Sequence, residues 1–299
     1  MKCTWLLIIL YCLNTVSVFS QEKTTVSEQF KPIEITSSYI TKPIFYKCIT
    51  NVPKDIFSIA KSPFIKDNWK TFSGITAGTI ILALKDQQII NWVKKSSTTI
   101  GLDPTTKYHD ALKFGDTRII KIPQNLNSAL YQLGEGGTSM IVAGGLLIFG
   151  KINHNWRDIQ ASYDLIETFA TMGVSTQILK RISGRESPFQ STQSGGKWSP
   201  LPSFSNYQNH TPSYDAFPSG HLATMVATVT VLTTDYPEKR WIKPIGFSLI
   251  GLTGWAMMNT EVHWMSDYPL AIAVGYLSGR ITSMRNKKTV KKIEKYSLL

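Results

Sequence analysis

A chain of 299 residues with 42% hydrophobic and 17% charged content holds enough apolar material to bury a core, which excludes a disordered polymer. A formal charge of +12 favours anionic partners, nucleic acid first among them. The sequence shows no helix-turn-helix, zinc-finger or stacking-aromatic pattern, so no nucleic acid partner is expected.

In chain order, residues 1–20 read as an export signal: Lys2, an apolar run from Trp5 to Leu13, then Val18-Phe19-Ser20 before Gln21. The protein is therefore expected outside the cytoplasm, periplasmic or extracytoplasmic, possible membrane association included. Removing that segment takes Cys3 and Cys12 with it, leaving Cys48 as a buried small hydrophobe that cannot form an internal disulfide. Residues 21–70 are polar and broken by Pro32, Pro43, Pro53 and Pro63, the pattern of an irregular arm with short extended pieces.

Six helical runs follow, at Gly74–Leu84, Thr138–Phe149, Tyr163–Leu179, Leu222–Thr233, Ile245–Met258 and Pro269–Ile281. The fold class is all-α, one helical bundle over residues 71–285. Each run is shorter than the ~20 residues of a spanning helix, which favours a soluble or peripherally attached protein, although Ala143-Gly144-Gly145 also suits close packing in lipid. Between the third and fourth runs, Gln190–Phe217 has no helical period and carries Trp198, Phe204, Tyr207 and Tyr214, as an ordered functional loop does. Residues 286–299 form a basic tail that suits either solvent or an anionic membrane surface.

Two of the five histidines sit in suggestive settings. Pro218-Ser219-Gly220-His221 opens the fourth run, so Ser219 can cap it while the first backbone amides of the helix face an anion. In His263-Trp264-Met265-Ser266-Asp267, helical spacing would bring the carboxylate to one ring nitrogen and leave the other as an outward lone pair. The same spacing also suits a core histidine beside a capping aspartate. No close ligand pair such as His-x-x-x-His points to zinc, and no metal or cofactor is expected. Lys180, Arg181 and Arg185 end the third run: alone they complement a helix dipole, and with the two histidines they make a cation clamp for a phosphoryl group.

Lys180…Pro188, then Pro-Ser-Gly-His, then His-x-x-x-Asp, in that order, resembles the type 2 phosphatidic acid phosphatase and vanadium haloperoxidase superfamily. The resemblance runs from about Thr71 to Ile281. It implies an α-helical bundle and metal-independent hydrolysis of a phosphate-bearing small molecule or lipid through a phosphohistidine. His263 would be the nucleophile, Asp267 its orienter and His221 the proton donor, with Lys180, Ser219 and Gly220 holding the phosphoryl oxygens. Two arginines of the family pattern are replaced by Ser187 and Met257, so either Arg185, the better candidate, and Arg181 reach the phosphate in their stead or activity is weak or lost. Asn259 and Glu261 are candidate polar lining. The same scaffold also admits a non-catalytic binding protein, and less readily a vanadate-dependent haloperoxidase. Oligomeric state is not legible.

Overall fold

The computed structural model describes residues 42–114 and 117–297. The signal-like segment 1–20, residues 21–41 of the arm and the side chains of the basic tail from 286 onward lie outside the described residues.

All six expected helices form. They are α2 (Trp69–Ala83), α5 (Gly136–Ile152), α6 (Trp156–Ser183), α8 (Gly220–Asp235), α9 (Ile242–Asn259) and α10 (Tyr268–Ser297). Between them come α3 (Asp86–Thr99), a hairpin of β1 (Tyr108–Phe114) and β2 (Thr117–Pro123), α4 (Leu126–Leu133) and the short α7 (Phe204–Asn209). The arm departs from the expected extended pieces. From Lys47 it is largely helical, with one turn at Lys47–Thr50 and then α1 (Val52–Lys61), where Pro53 occupies an early position whose missing N–H costs no helix bond. Helix α3 escapes a simple apolar-run reading because only Ile89, Ile90 and Val93 form its buried apolar stripe on an otherwise polar segment.

Helix α6 is the longest one with both ends capped. The Asn155 side chain accepts from the Arg157 amide at its start, and Gly184 leaves it with φ +57, a left-handed turn that suits glycine. Helix α8 is central: Leu222, Ala223, Val226, Ala227 and Val231 are all buried, and it packs on α6, α9 and α10. The α8–α10 approach depends on small residues. A Cβ on Gly275 would collide with the Ala223 carbonyl, and one on Gly279 with that of Ala227, four residues along each helix. Gly275→Ala is expected to cost about 1–3 kcal/mol by overpacking, seen as a lower denaturant midpoint at unchanged slope.

No single described helix is long and apolar enough to cross a membrane; α4 and α5 pass that test only as a pair bent by 67°. The outer faces are nevertheless apolar: Ile81, Ile141, Ile148, Ile152 and Ile178 are all exposed, Ile141 to 73%.

Candidate active site

The site forms where the ends of α6, α8 and α9 meet the Gln190–Phe217 loop. Ser219 caps α8, its hydroxyl accepting from the Leu222 amide at 3.3 Å, which leaves the earlier Gly220 and His221 amides at the positive end of the helix. Lys180, buried at the end of α6, lies beside them: a Cβ on Gly220 would be 3.7 Å from its ammonium nitrogen. That ammonium is 3.3 Å from Asp215.

His263 does not open a helix. Beyond α9 the chain turns through Glu261 at φ 58 and runs extended at Trp264 before a short 3₁₀ turn, Met265–Asp267. The two side chains therefore meet across a turn instead of along a helical face. His263 Nδ1 lies 2.9 Å from the Ala216 carbonyl oxygen and 3.5 Å from Asp267 Oδ2, so the carbonyl is the nearer partner. An Nδ1–H donated to that carbonyl leaves Nε2 as the lone pair. Asp267 instead accepts from the Trp264 amide at 2.7 Å, and its backbone oxygen accepts from the Ser219 amide at 3.1 Å, tying the two histidine segments together.

The imidazole rings of His221 and His263 are 5.9 Å apart. Burial is the main force that holds both neutral, pushing their pKa down to about 3; at His221 the neighbouring His263 and the Lys180 charge add to it, and at His263 the Lys180 charge does so against the opposing pull of Asp215. Burial pushes Asp267 up to about 6 against the opposing pull of Arg185.

Arg185 departs most from expectation. Its guanidinium is fully buried and turned into the protein: Nη1 donates to Asp267 Oδ1 and to Ser266 Oγ, each at 2.6 Å, and Nη2 donates to Asp86 Oδ2 and to the Gly195 carbonyl, each at 2.6 Å. Only Nε–H is without a partner among the described residues. Trp198 and Trp264 lie over it, their ring centroids 4.7 and 5.4 Å away. Arg185 thus cross-links α3, the loop and the His263 turn, and the expected phosphate clamp is not what its geometry provides.

Ser187 and Met257 are both buried, and the Ser219 hydroxyl points to the Met257 sulfur at 3.7 Å. Asn259 is no lining residue: its side-chain amide donates to Asn127 and anchors α4 on α9. Glu261 pairs with Lys94 at the surface. Asp86, at the start of α3 just beyond the first apolar run, is a buried partner of Arg185 and Ser266, and burial raises its pKa. Among the described residues, no group of three or more His, Cys, Asp or Glu is placed to hold a metal ion.

Residues 162–290 match the model of the PAP2 superfamily. A lipid A 1-phosphatase from Porphyromonas gingivalis is 30% identical over 80 residues, which make up 26% of this chain and 18% of that protein. The match therefore spans less than a fifth of the relative's length. No solved structure matches the chain significantly. Lys180, the Ser219-capped helix end, His221, His263 and Asp267 all fall within the segment that matches the PAP2 superfamily model.

Proposed function

We propose that the protein is a phosphatase that hydrolyses a phosphomonoester or a lipid-borne phosphate through a phosphohistidine at His263. The observation that carries this reading is the His263 imidazole, held neutral with Nδ1 at the Ala216 carbonyl and packed edge-on to a second neutral imidazole at the N-terminus of α8. In the first step Nε2 attacks phosphorus and the bond to the leaving oxygen breaks. The amides of Gly220 and His221, with Lys180, take up the charge on the phosphoryl oxygens. Water then attacks phosphorus, passing a proton to the His221 left neutral by the first step, the P–Nε2 bond breaks, phosphate departs and His263 regains its lone pair.

A proton for the leaving oxygen falls to His221. Its ring is neutral without substrate, and the negative charge of a bound phosphate opposes the burial effect and favours protonation. His221→Ala is expected to slow release of a poor alkoxide leaving group by ~10²-fold, and of an acidic nitrophenolate by much less. A comparison of kcat on the two esters checks this.

Lipid-borne phosphate is supported by the exposed isoleucines of α2, α5 and α6, an apolar surface suited to acyl chains, and by the relative whose name contains lipid A. The deciding experiment is a rapid quench with ³²P-labelled aryl phosphate in EDTA. Acid-labile, base-stable label on the protein is expected; turnover without it, or turnover that EDTA abolishes, overturns the reading.

A further inference from the structure

The phosphoryl site is short of positive charge. Lys180 and Arg185 face Asp86, Asp215 and Asp267, two cations against three carboxylates, and the two histidines are neutral. Even with His221 protonated on binding, a dianionic substrate that carries a further charge gains from a cation beside this cluster.

One is at hand in the hairpin. A cavity of about 920 Å³ opens between β1–β2, α4 and the His263 turn, lined among others by Lys107, Tyr108, Lys121, Tyr131, Glu135 and Val262. Its Tyr131 wall is shared with the catalytic pair: the Tyr131 ring lies 4.7 Å from the His221 ring, and a Cβ on Gly134 would sit 2.9 Å from that of His221. Lys121 projects from β2 with its ammonium 4.2 Å from the Tyr108 ring centroid and 2.6 Å from Glu135 Oε1, partly open to solvent. Lys121 is also among the charges that disfavour protonation of His221, so its field reaches that ring.

We infer that this cavity is a leaving-group subsite in which Lys121, held by Tyr108 and Glu135, binds a second negative charge carried by the substrate. The inference rests on the proposed reaction for its direction: His221 protonates the leaving oxygen, so the leaving group lies on the His221 side, and the cavity shares a wall with that ring. Glu135 holds Lys121 when the subsite is empty and competes with the incoming anion. The shared chemistry is a phosphate or carboxylate on the leaving group.

The test compares kcat/KM on phenyl phosphate and on carboxyphenyl phosphate, with calorimetric titration of inorganic pyrophosphate and orthophosphate beside it. Wild type is expected to favour the charged leaving group about ten-fold. Lys121→Met should erase that ratio, Lys121→Arg should restore most of it, and Glu135→Gln should enlarge it. A ratio near one in wild type, or one unchanged in Lys121→Met, overturns the subsite. Should wild type turn over neither ester, the proposed reaction fails and the titration decides the subsite alone. Pyrophosphate held more tightly than orthophosphate by wild type, and no more tightly by Lys121→Met, sustains it; equal ratios in the two proteins sink it. Pyrophosphate against carboxyphenyl phosphate then tells whether the second anion is a phosphate or a carboxylate.

Discussion

His263→Ala is expected to reduce phosphate release by on the order of 10⁴-fold or more and to abolish the labelled phosphoenzyme, while the protein stays folded. The two halves of this expectation have separate causes. Activity falls because Nε2 is the attacking atom in the proposed reaction. Folding survives because the imidazole contributes one hydrogen bond, to the Ala216 carbonyl, whose loss costs about 1 kcal/mol before a similar cavity term. A thermal melt beside the assay separates the two. Acid stability gives a further readout. The folded-state pKa of His263 is depressed to about 3, so between there and an ordinary value near ~6.5 the unfolded chain binds more protons, and wild type loses stability as pH falls through that window. Asp267, raised to about 6, acts in the opposite sense between there and its ordinary value near ~4, since the folded state holds the extra proton in that range. Removing His263 removes one of the acid-sensitive groups, so the mutant's stability should fall less steeply than wild type's below pH ~6.5. An equal slope in the two proteins would show that His263 is not held neutral by the fold.

The parts of this molecule legible in its sequence are those governed by local rules. Ser219 before an apolar run is a helix cap wherever it occurs, and the structure bears it out. The six apolar runs became helices because each has enough apolar residues to bury a face. What stayed hidden depends on tertiary contact. Asp86 precedes Arg185 by 99 positions and can be recognised as its partner only once α3 packs against the His263 turn. Ala216 offers His263 a main-chain carbonyl, which no side-chain pattern announces. The hairpin was missed because Tyr108–Pro123 mixes charged and apolar residues without clean alternation, and the pairing itself has register shifts between Asp110 and Lys113. Arg185, expected to face a phosphate, lies against the His263 turn with its guanidinium directed into the protein. Two residues' distance from Ser187 said it could reach a phosphate; the two buried carboxylates that claim its guanidinium lie elsewhere in the chain.

Those carboxylates make Arg185→Met the substitution with the largest expected effect on stability, about 3–5 kcal/mol. The side chain is buried among aromatic rings that would accept a methionine, so the loss is electrostatic: Asp86 and Asp267, each 2.6 Å from a guanidinium nitrogen, would be left inside the protein without a counter-charge. Burial already raises both pKa values against the pull of Arg185, and without it they rise further. A folded-state pKa above the unfolded one means that stability is lost as pH rises, so the deficit should be larger at pH 8 than at pH 5, the opposite of the His263 effect. Arg185→Lys should recover only part of the loss, because a single ammonium lacks the planar fork that serves both carboxylates and the Gly195 carbonyl at once. The triple variant Arg185→Met, Asp86→Asn, Asp267→Asn separates the roles. It removes the buried charges together and should regain most of the stability by denaturant unfolding. Its phosphate release should nevertheless stay low, because the Trp264 amide and the His263 turn are no longer held by a charged carboxylate braced on a guanidinium. Recovery of both stability and activity would reduce Arg185 and its carboxylates to a folding element; recovery of stability alone makes the Arg185–Asp267 pair, and not Arg185 by itself, what positions the nucleophile.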